Sequence, residues 1–344
     1  MKKTLALLLA LAMVLALTAC GSSTTTSSAA TESASASGEV AEAATGGLPG
    51  GTQLIFTTGG DQGTYYGFGG VIAGKVGETT STTVTAITSG GSQANIEALD
   101  MGDAQLGFVQ SDVMAYAYNG TNLFAEYGKV DNFSTVAALY MEQVQIVTID
   151  PTIKTVSDLA GKNVSIGAAG SGVYYNAIDV LGAYGMTEND IKPTYQSFGD
   201  SAEALQDGKI DAAFIVAGAP TTAVTSLAAT KPVYLVSIDE EHIDNLIASS
   251  PYYTKTTISK DAYGTEEDCT TVAVAAVVIA ADSVSETDVY NFLYGVFENI
   301  DTISVAHAKG EELNLDFASS ITAVPYHPGA VKYFAEKGIT VPAK

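Results

Sequence analysis

The chain has 344 residues, with 15 basic and 38 acidic side chains and a net charge of −23. Every basic side chain is a lysine, because the sequence contains no arginine. So acidic a surface argues against nucleic acid and against adhesion to anionic lipid headgroups. Without a guanidinium fork, any bound carboxylate falls to lysine, hydroxyls, amides or backbone N–H groups.

Lys2 and Lys3 precede an apolar run from Leu5 to Leu17, which ends in Leu17-Thr18-Ala19-Cys20. A charged start, a short apolar stretch and small residues before a cysteine form a bacterial lipoprotein signal, residues 1–20, with Cys20 lipidated after cleavage. The run is shorter than the roughly 20 residues that span hydrocarbon. Acyl chains on Cys20 would instead anchor an extracytoplasmic protein to the bacterial cell membrane. Residues 21–51 are mostly Ser, Thr, Ala and Gly with a few Glu, too poor in bulky apolar side chains to offset their ordering entropy, and read as a flexible tether. The folded part runs from about Thr52 to Lys344, long enough for two domains. Cys269 is its only cysteine, so no internal disulfide forms and packing must hold it together.

Short strand-like runs alternate with helical patterns, the rhythm of βα units around mainly parallel sheets. Leu54 to Thr57 leads through Gly59-Gly60-Asp61-Gln62-Gly63-Thr64-Tyr65-Tyr66 into a helix reaching about Gly77. Val84 to Ile87 leads through Ser89-Gly90-Gly91-Ser92-Gln93-Ala94-Asn95 into a helix ending near Gly102, and Leu106 to Val109 through Gln110-Ser111-Asp112 into the next. Ligands of open α/β sheets bind beyond the carboxyl ends of strands, where helix starts offer free N–H groups. Ser92 and Ser111 would also suit plain helix caps. Three such turns in succession point to a binding cleft.

A second block follows two further runs, Val136 to Tyr140 and Gln143 to Ile149. Asn163 to Ile166 leads through Gly167-Ala168-Ala169-Gly170-Ser171-Gly172 into a helix with Tyr174, Tyr175 and Asn176, and Ile210 to Val216 ends at Ala217-Gly218-Ala219-Pro220. The last part alternates a strand, Val272 to Ala280, with a helix from Glu286 to Asn299 and shorter helical pieces.

These residues carry a resemblance. Gly63-Thr64-Tyr65-Tyr66, Gly90-Gly91-Ser92 with Asn95, Gln110-Ser111-Asp112, Asp158-Leu159 with Gly161-Lys162, Gly170-Ser171-Gly172, Asp211-Ala212-Ala213-Phe214 with Gly218 and Pro220, and His327-Pro328-Gly329-Ala330 stand in register along nearly all of the folded part. In this pattern the chain resembles the TAXI family of solute-binding proteins, the receptors of tripartite ATP-independent (TRAP) transporters. The resemblance implies an α/β, two-lobed periplasmic-binding-protein-like (type II) fold. Two mainly parallel sheets would be joined by a strand hinge, with lobe I at 52–145 plus 265–344 and lobe II at 146–264. It also implies closure on a small carboxylate or amino acid (glutamate, glutamine or 2-oxoglutarate-like) and docking on TRAP-type permease subunits. Val173 departs from the pattern, in which a Thr commonly follows Gly-Ser-Gly, and one hydroxyl is thereby lost.

Chemistry reaches the same cleft. Thr64 and Tyr65, with Ser92, Asn95 and Gln110, are candidate donors on one lobe; Ser171, Gly172 and Val173 face them from the other with hydroxyl and backbone N–H. Gly218 would let the closing lobe approach, and Tyr66 or Tyr174 would wall the solute or pack in the core. Asp112 either lines the pocket or complements its own helix dipole. An acid there, Asp112 or Glu142, would favour an amino acid over a dicarboxylate.

Signals for catalysis or a cofactor are lacking. No serine has the flanking glycines of a nucleophile elbow. Gly161-Lys162 is followed by Asn163 and Gly208-Lys209 by Ile210, which rules out a phosphate-binding loop, and Ile72 occupies the third glycine position of a dinucleotide fingerprint. No pair among His242, His307 and His327 has the helical spacing of a zinc site. His327 is expected to order a turn, and Cys269 to fill a small apolar space. The expectation is a non-enzyme with no cofactor and no metal. A lipoprotein sensor reporting to a signalling partner is the alternative, and a surface hydrolase a third.

Overall fold

A computed structural model of the protein describes residues 46–344, apart from Leu123. The signal, Cys20 and most of the tether lie outside the described residues. Gly46–Gly51, expected within the tether, are instead held on the folded body. Leu48 N–H donates to Asn291 Oδ1 at 2.6 Å, while Asn291 Nδ2 and Ser81 Oγ donate to the Leu48 carbonyl at 2.8 and 2.7 Å.

Three βα units come first: β1 (Gln53–Thr57) and α1 (Thr64–Thr79), β2 (Thr83–Ile87) and α2 (Ser92–Met101), β3 (Leu106–Gln110) and α3 (Ser111–Asn119). After a short α4 (Phe124–Tyr127), the runs around Val136 and Gln143 fuse into one strand, β4 (Phe133–Thr148). Met141 and Glu142 suggested a break; the ladder carries on through them, and Glu142 is buried. The second block holds β5 (Asn163–Ser165), α5 (Gly172–Ala183), β6 (Lys192–Thr194), α6 (Phe198–Gln206), β7 (Ala212–Ala217), α7 (Thr222–Ala228), β8 (Tyr234–Leu235), α8 (Glu240–Ser249) and β9 (Thr254–Ile258). The chain returns along β10 (Cys269–Ala281) and closes with α9 (Glu286–Phe297), α10 (Ile300–Ala306), α11 (Leu315–Ala318) and α12 (Pro328–Glu336).

The strands form one ten-stranded sheet in the order β2-β1-β3-β10-β4-β7-β5-β6, with β8 beside β4 and β9 beside β10. The expected parallel groups are present, β2-β1-β3 and β7-β5-β6. They are not two separate sheets, because β4 and β10 pair antiparallel with each other and with strands of both groups. β4 leaves β10 for β7 at Gln143, and β10 leaves β9 for β4 at Ala273. Strands buried on both faces read as unbroken apolar runs, as in β3 up to Val109 and in β7. The edge strand β2 alternates instead.

The apolar cores divide at the same place. One gathers residues from Leu54 to Tyr140 and from Ala275 to Val341; two others draw only on residues between Val144 and Val274. Tyr175 of α5 is the exception, reaching into the first core against Phe124 and Tyr116, ring centroids 6.0 and 6.2 Å away.

Asp288 ties α9 to the strand starts: its buried carboxylate accepts from Thr52 N–H (2.7 Å), Thr52 Oγ1 (2.8 Å), Thr82 Oγ1 (2.7 Å) and Ser285 Oγ (2.7 Å). Burial pushes its pKa up, but these donors outweigh burial and hold it below the usual carboxylate range. A depressed pKa contributes stability that is complete above the unfolded value and is lost as pH falls through the folded one. Asp288→Ala should destabilise the protein by about 2 kcal/mol at pH 7. In denaturant titrations the gap to wild type should narrow below pH 4.

Candidate functional site

α1, α2 and α5 begin around one cavity. Their N-cap residues are Gly63, Gly91 and Ser171, and none caps its helix with a side chain; of the first-turn N–H groups, that of Ala94 in α2 is taken by the Gly170 carbonyl. Gly91 sits at φ +110°, where a side chain is strained, and a Cβ there would lie 3.3 Å from Ser171 Cα across the cleft. The N-terminus of α6 also reaches the cavity, but Ser197 Oγ caps it by accepting from Asp200 N–H at 3.2 Å.

The cavity measures about 70 Å³ and suits a small occupant. Thr64, Tyr65, Ser92, Gln110 and Glu142 line one side; Ser171, Gly172, Val173, Phe198, Val216 and Ala217 line the other. Hydrogen bonds between the sides hold it closed: Thr64 Oγ1 to the Gly218 carbonyl (3.0 Å), Ala94 N–H to the Gly170 carbonyl (3.0 Å), Tyr175 Oη to Gln93 Oε1 (3.0 Å), and Ala223 N–H to the Gln62 carbonyl (3.3 Å).

Two buried side-chain oxygens at the cavity lack partners among the described residues, Gln110 Oε1 and Ser171 Oγ. A buried polar atom without a partner is costly, so both suit a bound group. Ser92 Oγ accepts from Gln110 N–H at 3.1 Å, and its hydroxyl faces Tyr65. Tyr65 stacks on Phe108 at 4.6 Å and donates from Oη to Glu142 Oε2 at 2.6 Å. Burial raises the Glu142 carboxyl to about 8, with the Tyr65 bond pulling it back and Asp112 adding to the rise.

Seven of the eleven candidate ligand residues thus meet at one cavity: Thr64, Tyr65, Ser92, Gln110, Ser171, Gly172 and Val173. Four lie off its lining. Asn95 is beneath it, its amide donating to the Thr58 and Phe108 carbonyls at 2.7 and 2.6 Å and so fastening α2 to the strand ends. Tyr66 is 38% exposed, because α1 turns it outward. Gly218 supplies the carbonyl that Thr64 grips, and a Cβ there would collide with the Lys309 side chain.

Asp112 belongs to a separate buried network. Asn176 Nδ2 donates to Asp112 Oδ2 and to Tyr253 Oη, both at 2.8 Å, and Tyr253 donates to Asp179 at 2.9 Å. Burial and the nearby Asp179 raise Asp112 to about 7. Sequence reasoning missed Gln196, Ser197 and Phe198, which follow a strand of only three residues without a glycine turn to mark it. Glu142 stayed undecided because an acid inside an apolar strand carries no positional signal.

His327 caps α12, its Nδ1 accepting from Gly329 N–H at 3.2 Å, and Cys269 is buried. Among the described residues no three His, Cys, Asp or Glu cluster as metal ligands, and no helix is long and apolar enough to cross a membrane.

The architecture is the α/β periplasmic-binding-protein-like, type II fold. MatC from Rhodopseudomonas palustris, solved with bound malate, superposes with a TM-score of 0.53 at 15% identity over 75% of this chain and 88% of its own. A protein of Bordetella bronchiseptica RB50 gives 0.50 at 15% identity over 82% and 88%. The periplasmic aliphatic sulphonate binding protein SsuA from Escherichia coli gives 0.45 at 16% identity over 84% and 94%. Residues 56–338 match the NMT1-like family, and the chain belongs to that family.

A Cβ on Gly172 would overlap Gln110 Oε1 and lie 2.7 Å from Ser92 Oγ. Gly172→Ala should therefore fold normally but keep the cleft open, seen as a larger radius of gyration in solution scattering and a lost response to solute. A raised carboxyl pKa costs stability as pH climbs from the unfolded value to the folded one. Asp112→Asn removes that cost while retaining an acceptor for Asn176. It should raise the melting temperature by about 5 °C at pH 8 and by less at pH 5.

Proposed function

We propose that the protein is an extracytoplasmic solute receptor that closes two lobes on a small organic anion or amino acid and delivers it to a TRAP-type membrane permease, changing no covalent bond. The observation that carries this reading is the convergence of three helix starts without side-chain caps on one closed cavity that also holds two unpartnered oxygens, Gln110 Oε1 and Ser171 Oγ. Free N–H groups aligned with helix dipoles favour a carboxylate, and a chain without arginine relies on such groups for it.

The lobes part near Gln143 and Ala273, where β4 and β10 change partners; division of the apolar cores at the same place supports that boundary. Closure is driven by contacts that exist only when both lobes touch the solute. The seven segments shared with TAXI receptors support the TRAP assignment, and the Cys20 signal supports a lipid anchor facing outward from the cell.

Ligand that binds only the native state raises its melting temperature with concentration. Protein unfolded and refolded to strip carried-over solute should give a saturable shift with a small carboxylate or amino acid. The panel is glutamate, glutamine, 2-oxoglutarate, other dicarboxylates, branched amino acids and sugars. Thr64→Val and Ser171→Ala should each weaken binding about tenfold, the loss of one buried hydrogen bond, with little change in the unliganded melting temperature. Unchanged affinity in both variants would remove these residues from the site.

A further inference from the structure

Helix starts, unpartnered polar atoms and one carboxyl share the lining of the cavity. Glu142 is the only residue of charged type among the described residues of that lining. Glu142 is 2% exposed, and its Oε2 accepts a hydrogen bond from Tyr65 Oη. Oε1 accepts no hydrogen bond from a described residue.

The surroundings of Glu142 are short of positive charge. Tyr65 faces it from α1 and Asp112 from α3. Tyr140, on the same strand, buries a hydroxyl without a partner. Lys309 and Glu312 approach from residues 308–312, where Lys309 is paired with Glu312 and stands over the Tyr140 ring at 5.7 Å. The nearest cation is therefore already matched by a carboxylate, and a cationic group entering the cavity would find Glu142 as its counter-charge.

We propose, building on the receptor reading above, that Glu142 is the charge-selecting residue of the site: it receives the ammonium group of a zwitterionic solute whose carboxylate rests on the helix starts. On binding, Glu142 gives up its proton to solvent and the ammonium takes the proton's place, so selectivity runs to amino acids over matching hydroxy, oxo and dicarboxylic acids. A solute without a cation would instead require Glu142 to stay protonated.

The two cases have opposite pH dependence. The empty site holds Glu142 protonated up to about pH 8. An ammonium-bearing solute therefore releases one proton below that pH, and its affinity rises about tenfold per unit between pH 6 and 7, levelling near 8. An acid without an amino group takes up no such benefit and weakens above pH 8.

The test is calorimetric titration of the stripped protein in two buffers of different ionisation enthalpy, from pH 6 to 8.5. The probes are three matched sets: L-alanine, lactate and pyruvate; L-leucine, 2-hydroxyisocaproate and 2-oxoisocaproate; L-glutamate, 2-hydroxyglutarate and 2-oxoglutarate. The expected result is that in at least one set the amino acid binds more than tenfold tighter than its relatives, with close to one proton released at pH 6.5. Glu142→Gln, which keeps an acceptor for Tyr65, should cost the amino acid at least tenfold and abolish the proton release. Equal or tighter binding of a hydroxy or oxo acid, or an unchanged preference in Glu142→Gln, would overturn the role of Glu142 and leave the receptor reading standing. The wild-type pH profile decides the matter even if that variant does not fold. No binding by any probe would overturn the small-carboxylate reading, and the role of Glu142 with it.

Discussion

The antiparallel ladder between β4 and β10 is the element on which the rest of the molecule depends. Residues 133–143 pair with 273–281, and past that ladder each strand turns to a different neighbour, β7 for one and β9 for the other. Backbone hydrogen bonds must be completed in any buried sheet, so these two strands knit two parallel groups into one path while leaving only two strands to cross between the cores. This narrow connection is the one about which the proposed closure would turn one group against the other. It also places Glu142 at the crossing, on the floor of the cavity.

The chemistry of the cavity follows from its backbone more than from charged side chains. Three helices enter it start-first, each behind a strand of one of the two parallel groups. Glycine at two of the three N-caps leaves these helices without a side-chain cap and allows the opposing turn to come within contact distance. Side chains complete this frame: Gln110 and Ser171 bring unpartnered polar atoms, Phe198 and Val173 add apolar surface, and Glu142 brings the one carboxyl among the described residues of the lining. The absence of arginine is consistent with such a site, since aligned N–H groups hold a carboxylate without a cation.

Much of this was legible beforehand because βα units carry local signals. Each apolar run followed by a polar or glycine-rich turn marked a strand end and a helix start, and the turns at Gly63, Gly91 and Ser171 did converge. Where local signals were absent or misleading, the expectation departed from the structure. The interval Met141-Glu142 looked like a break between strands, yet the ladder runs through it. Asn95 and Asp112 have the residue types of ligand contacts, but one fastens strand ends to α2 and the other joins a network across the two halves. Gln196 to Phe198 carried no turn signature at all.

The sequence by itself determined the alternation of strand and helix, the apolar faces and the chemistry available at each turn, because propensity and periodicity act over a few residues. Which turns share a cavity, which carboxyl is buried inside it and which outside, and how two parallel groups become one sheet were decided only by tertiary structure. Those outcomes rest on pairings between residues more than 100 positions apart, such as Gln143 with Ala273 and Glu142 with Val274, and no local pattern encodes a partner at that distance.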